Sequence, residues 1–135
     1  MVSDWDKVRA KVVGKRVVSV GCNGETLTLD DGTVLRLYMS ASDCCASARG
    51  DWELLQPDAL EAIITDVKFN LLTDREDDGD GATSTAEITI LHNQNPIALA
   101  DCYANDGNGG YYFSVLSLKV EVPNGDELAV EVCSA

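Results

Sequence analysis

The chain has 135 residues, of which 45% are hydrophobic and 24% are charged. This length and composition predict one globular domain with a sizeable core and exclude a disordered chain. No run of 18 apolar residues occurs, so we predict no membrane-spanning helix. The opening MVSDWDK lacks the apolar core of a secretion signal, so we expect a protein that stays in the cytosol in which it is made.

The net charge is −13 and is unevenly distributed along the chain. Residues 1–16 carry five basic and two acidic side chains, a balance of +3, so the remainder carries −16. An acidic body repels phosphate backbones, which argues against sequence-independent binding to nucleic acid except through the short basic N-terminal segment. We interpret the excess of carboxylates mainly as a source of solubility.

The five cysteines cannot all pair within one chain, because their number is odd. A reducing cytosol also keeps thiols free. We therefore expect free thiols that act mainly as small buried hydrophobic groups. These cysteines are Cys22, Cys44, Cys45, Cys102 and Cys133.

An N-terminal helix is the first predicted element. Ser3 suits the N-cap position, and Trp5, Val8 and Val12 are spaced to lie on one helical face. Gly14 is a natural place for the helix to end. Three short β-rich runs follow at 17–20, 26–30 and 33–38, separated by Asn-Gly and Asp-Gly pairs that favour hairpin turns, so we predict a three-stranded meander.

The segment after Ser40 changes character. Ser42 or Asp43 could cap a short helix that runs through Cys44 and Cys45 to Ala48. A second short helical piece is predicted at 57–62, because proline suits the first position of a helix.

Strand patterns return from Asp66 onward. Apolar and polar residues alternate at 66–71, 85–90, 116–122 and 128–132, which is typical of sheets that are buried on one face. The fold class we predict is α+β and mostly antiparallel β. It is a single domain, residues 1–135, with about seven to nine strands, one N-terminal helix and one or two short helices.

The acidic stretch 74–82 is predicted to be a solvated hairpin loop. Its acids begin like a calcium-binding loop, but Thr85 stands where that loop requires a bidentate glutamate, so we predict no metal. The same acids are candidates for an interaction surface. They are Asp74, Glu76, Asp77, Asp78 and Asp80.

Cys44 and Cys45 are the candidate reactive thiols. Neighbours on a helix point about 100° apart, so the pair is poorly arranged to chelate a metal. A thiolate near a helix N-terminus would be stabilised by the helix dipole, although core packing is the favoured interpretation.

No set of catalytic residues emerges from the sequence. His92 is the only histidine, and it lies in a predicted turn. We therefore predict no enzymatic activity and no cofactor.

The glycine-rich segment 106–110 lacks the lysine and the hydroxyl residue of a phosphate-binding loop. Its Gly and Asn residues suit tight turns. Tyr111 and Tyr112, which follow it, are candidates for a recognition edge, because tyrosine offers contact area at a low entropic cost.

Two blocks of sequence carry a resemblance. DDGTVLRLYMSASDCC is followed by Gly-Asp-Trp, an alternating strand and ALADCYANDGNGGYYFSV. This order resembles an uncharacterised family of small proteins encoded by actinobacteriophages and prophages, across residues 15–122. The resemblance implies a phage origin and synthesis in the host cytoplasm, and it brings no active-site residues.

Two functional hypotheses follow. The first is a non-enzymatic phage protein that acts by protein–protein association, as a capsid decoration or minor structural protein of the virion. The second is an early accessory protein that inhibits a host or defence factor, through an acidic, DNA-like surface. A weaker third hypothesis gives the Cys44 and Cys45 pair a redox or metal role. The sequence leaves open whether the protein self-associates.

Overall fold

The computed structural model describes residues 4–21, 24–42, 46–55, 62–77, 82–105, 114–123, 125 and 127–135, with only the backbone described at positions 4, 42 and 75–77. One helix and nine strands lie in these ranges. They are α1 (Asp4–Val12), β1 (Val17–Gly21), β2 (Thr26–Leu29), β3 (Val34–Ser42), β4 (Ser47–Leu54), β5 (Asp66–Asp77), β6 (Ala82–His92), β7 (Asn95–Asn105), β8 (Ser114–Glu121) and β9 (Glu127–Ser134).

The strands form two sheets that pack face to face. The first sheet has the order β1-β2-β3-β8-β9 and the second has the order β4-β7-β6-β5. Every pair of neighbouring strands is antiparallel. The prediction of a mostly antiparallel fold with seven to nine strands and an N-terminal helix is therefore confirmed. The described chain is nearly all-β rather than α+β.

The core lies between the two sheets. Because side chains alternate across a strand, each strand sends every second residue inward. Leu35 and Leu37 of β3 pair with Val120 and Leu118 of β8, and Ile88 and its neighbours on the second sheet belong to the same core cluster. All five side chains are at most 1% exposed.

Helix α1 packs beside β5 and β9. Val8 and Val12 are completely buried, and Trp5 stacks on Phe69 of β5 with ring centroids 4.6 Å apart. The helix ends as predicted, because Gly14 adopts a φ of 91° and donates its N–H to the carbonyl of Ile64.

The predicted turn at His92 is confirmed. β6 and β7 form a hairpin whose two connecting residues, Asn93 and Gln94, have φ values of 49° and 74°. Two successive left-handed residues match the twist of a two-residue hairpin.

The predicted helix from Cys44 to Ala48 is wrong over its described part. Ala48 belongs to β4, where Ala48, Gly50 and Trp52 face inward and pair with residues of β7. The sequence does not indicate this strand clearly, because alanine and glycine are poor strand formers. Here they occupy inward positions where large side chains would not fit. The second predicted helix, 57–62, lies outside the described residues except for Ala62, which is not helical.

The described part of the acidic stretch is strand rather than loop. β5 continues to Asp77 and β6 begins at Ala82, and these two residues pair. The predicted loop 74–82 therefore begins as strand, and residues 78–81 lie outside the described part. β7 was not predicted at all, because its inward residues are mainly alanines, which are weak indicators of a strand.

Candidate functional site

The outer face of the four-stranded sheet is the surface that faces away from the core. The register of the strands places its side chains in rows that cross the sheet. The middle row consists of Asn70, Glu87, Asp101 and Asp51, and the rows on either side consist of Thr73, Thr85, Tyr103 and Arg49 and of Lys68, Thr89, Leu99 and Glu53. Within the described residues, α1 is the only helix, and it packs beside β5 rather than across this face.

Three carboxylates lie side by side in the middle row. Asp51 is the direct partner of Asp101 across β4 and β7, and Glu87 is the direct partner of Asp101 across β6 and β7. Neighbouring strands are about 4.8 Å apart, so like charges in such pairs repel each other and destabilise the sheet. We call Asp51, Asp101 and Glu87 the acidic row.

Arg49 is the cation nearest to the acidic row along β4. Its guanidinium lies 3.2 Å from the carboxylate of Asp51, and both side chains are largely exposed. Of the ion pairs formed by described residues, none involves Glu87 or Asp101. Arg49 and the acidic row together carry a charge of +1 − 3 = −2.

A shallow groove of about 400 Å³ runs beside the acidic row. Its lining includes Tyr103 and the exposed Leu72, which stands at a bulge in β5. The full lining is Arg49, Asp51, Leu72, Thr85, Ala86, Asp101, Cys102 and Tyr103. The groove therefore combines two carboxylates with an aromatic and an aliphatic surface.

This arrangement does not gather metal ligands. Among the described residues, no group of three or more His, Cys, Asp or Glu side chains is placed to hold a metal ion. The acidic row is spread across three strands instead of converging on one point.

His92 lies away from the outer face groove, at the β6–β7 turn. Its Nδ1 is 2.7 Å from the carbonyl oxygen of Ile63 and donates to it, and its Nε2 lies 3.5 Å from the amide nitrogen of Asn93. Both ring nitrogens therefore contact amide groups.

Two of the five cysteines are described, and both are free and buried. Burial is the main cause that raises the pKa of the Cys102 thiol, and it raises the pKa of Cys133 to about 11, with Glu131 adding to the effect. Thiols with raised pKa values are poor nucleophiles at neutral pH. Cys102 and Cys133 thus fit the predicted packing role.

The structure describes only some of the residues that were predicted to form an interaction surface. Asp74 is exposed near the C-terminal end of β5, beside a groove that Leu71 and Glu131 also line, and Glu76 and Asp77 belong to the same strand. Asp78, Asp80, Tyr111, Tyr112 and the candidate thiols Cys44 and Cys45 lie outside the described residues.

The strands that flank these segments meet at one end of the sandwich. Ser114 Oγ lies 2.9 Å from the carbonyl oxygen of Ser47 and 2.8 Å from that of Asn105. Ser42 pairs with Ser114, and Thr83 pairs with Asn105. The chain therefore enters or leaves the segments 43–45, 78–81 and 106–113 at this same end.

Sequence reasoning missed the acidic row. Its members come from three separate strands, and two of these strands, β4 and β7, were not predicted. A signal was present in the alternation of Arg49, Asp51 and Glu53 with small or apolar residues, which is the pattern of a strand with one polar face.

A family model for a domain of unknown function, DUF7448, matches residues 10–119. The chain belongs to this family. The comparisons with curated proteins and with solved structures give no match. No helix in the described ranges is long and apolar enough to cross a membrane.

Proposed function

We propose that the protein is a non-enzymatic bacteriophage or prophage protein that acts by protein–protein association. The observation that carries the proposal is the open outer face of the four-stranded sheet, where the acidic row lies beside a groove with an aromatic wall. The phage origin rests on the resemblance of the DCC and NGGYY blocks. A virion-associated role, as a capsid decoration or minor structural protein, is the form of association we favour.

The stability of the sheet gives a reason to assign the acidic row to binding. Carboxylates that face each other across a strand pair cost stability, by roughly 0.2–1 kcal/mol for each pair. A chain that keeps two such pairs on one face gains nothing from them in folding. Residues that destabilise the fold locally without an evident compensating benefit are typical of functional surfaces.

Mass spectrometry of purified particles tests the virion role. We expect the protein to remain with particles through a density gradient and to be released only by conditions that remove other structural proteins. Its loss from washed particles, while it stays abundant in the infected-cell lysate, would refute the virion role.

An early accessory protein that binds and inhibits a host or defence factor is the second candidate. The acidic row supports it, because a solvent-exposed run of carboxylates can imitate a polyanion. Capture from host lysate should then depend on one acidic surface. Charge reversal of Glu87 and Asp101 tests the outer face, and charge reversal of Asp74, Glu76 and Asp77 tests the strand end. Capture that survives both changes would exclude this mimicry.

A further inference from the structure

The groove on the outer face has the chemistry of a receptor for a cationic side chain, an inference that rests on the proposed association function. Asp51 and Asp101 supply negative charge to its lining. Tyr103 and the half-exposed Leu72 supply apolar surface close by. Long basic side chains bury their aliphatic stems on apolar surface while the charged head stays at polar groups, and their cations also favour aromatic faces.

We infer that the outer face binds an extended, arginine- or lysine-rich segment of a partner protein. One basic side chain of this segment occupies the groove, and its neighbours lie along the acidic row. Charge complementarity supports this occupant, because Arg49 and the acidic row together leave an excess of two negative charges. The carboxylates of Glu87 and Asp101 have no cationic partner among the described residues.

Arg49 is the internal competitor of the partner. Arg49 lines the groove, and its guanidinium lies 3.2 Å from the carboxylate of Asp51, where a partner's cation would bind. The Arg49 side chain is 63% exposed, so it can swing into solvent when the partner arrives. Its removal should therefore tighten binding of a basic segment, whereas removal of an acid should weaken it.

The opposite signs of these two effects make the inference testable. An exposed ion pair contributes up to about 1 kcal/mol, and the upper part of that range, about 0.4–1 kcal/mol, corresponds to roughly a twofold to fivefold change in affinity. An anionic partner would give the reverse pattern, because Arg49 would then attract it and the carboxylates would repel it.

The probe is a fluorescent synthetic peptide in which arginine alternates with threonine, and the control peptide has glutamine in place of arginine. Binding is measured by fluorescence anisotropy at low and physiological ionic strength. Glu87→Gln and Asp101→Asn should each weaken binding of the arginine peptide about twofold to fivefold, and Arg49→Gln should strengthen it by a similar factor. The matched control is Glu131→Gln, which removes the same charge from an exposed position on the other sheet.

Equal weakening by Glu131→Gln and by the outer-face variants would overturn the inference, because binding would then reflect only the overall charge. Weaker binding by Arg49→Gln, or no binding of the arginine peptide to the unaltered protein, would overturn it as well. Circular dichroism of each variant checks that the sandwich is intact. Failure of the peptide experiment leaves the particle experiment unaffected, so loss of this inference and loss of the proposed function can be told apart.

Discussion

The two faces of the four-stranded sheet are formed by the same strands but carry different kinds of side chain. On the inner face, Ala86, Cys102 and Gly50 form one row and are all buried. On the outer face, the row next to it places Glu87, Asp101 and Asp51 in register. On the inner face, the narrow gap between the sheets leaves room only for small side chains in this row. On the outer face, carboxylates stand next to each other across strand pairs, and they make no packing contacts that would offset their repulsion.

This difference separates what folds the protein from what it offers to a partner. An inner residue should be sensitive to a change of a single methyl group, since interiors are close-packed. An outer acid should be replaceable without loss of stability, and its loss should be felt in binding alone. The same alternation that builds the sheet thus keeps the two roles on opposite sides of it.

Enlargement of Gly50 should have the largest effect. A Cβ at this position would lie 2.8 Å from Leu37 Cδ1, 3.1 Å from Cys102 Sγ and 3.2 Å from Leu116 Cδ2. We expect Gly50→Ala to lower the free energy of unfolding by about 1–3 kcal/mol, and Gly50→Val to lower it further, because overpacking displaces both sheets. Urea unfolding measures the change.

Arg49→Ala, one residue away on the outer face, is the control for Gly50. Exposed substitutions of this kind change stability by about 0.5 kcal/mol or less. If Gly50→Ala proved as mild as Arg49→Ala, the contrast between the two faces would fail.

Removal of the Ser114 hydroxyl should have the next largest effect. Ser114 is completely buried, and its Oγ accepts from the N–H of Asn105 and lies within reach of the carbonyls of Ser47 and Asn105. Ser114→Ala leaves these backbone groups without their partner, so we expect a loss of about 1–3 kcal/mol in urea unfolding. Ser19→Ala, which alters an exposed hydroxyl on β1, should cost much less, and equal losses would show that burial is not the cause.

The sequence predicted most of the sheet residues for which alternation was strong. Val67 and Phe69, and later Leu116 and Leu118, alternate with polar residues and were correctly assigned to strands. The Asp-Gly pair at Gly32, whose φ is 93°, correctly indicated a turn between two of the first strands. Large apolar side chains at every second position indicate a strand that is buried on one face.

The acidic row could not be predicted for a related reason. It depends on β4 and β7, whose inward positions hold small residues such as Ala48, Gly50 and Ala98. Small residues indicate that the opposite sheet lies close, but that proximity is a property of the whole fold. Register across three strands is equally non-local, so the neighbours Asp51, Asp101 and Glu87 could be found only once the sheet was assembled.

Neutralisation of the acidic row should change stability in the opposite direction from the core variants. The double variant Glu87→Gln with Asp101→Asn removes the repulsion between direct cross-strand partners. We expect the free energy of unfolding to stay the same or rise by about 0.2–1 kcal/mol at low ionic strength, and the gain to shrink as salt is added. A clear loss of stability would mean that these acids support the fold, and the argument for a binding role would then be lost.

Asp31 provides the smallest effect and the sharpest contrast with the acidic row, because this acid has partners. Its carboxylate lies 2.9 Å from Lys15 Nζ and accepts from the N–H of Thr33 at the same distance. Partial burial acts to raise the pKa of Asp31, but the hydrogen bonds from Lys15 and Thr33 outweigh it and lower the pKa from 3.8 to about 2. A carboxyl group with a lowered folded-state pKa stabilises the fold above its unfolded pKa, and that contribution disappears as the pH falls from 3.8 towards 2.

Because Asp31 is largely exposed, we expect Asp31→Asn to cost only about 0.2–1 kcal/mol at neutral pH. The difference between the two proteins in urea unfolding should shrink as the pH falls from 3.8 and should vanish below about pH 2, where the unaltered carboxyl group is protonated in the folded state as well. A difference that persisted unchanged through that range would assign the loss to the side-chain amide rather than to the charge, and Asp31 would no longer serve as the partnered counterpart of Asp101.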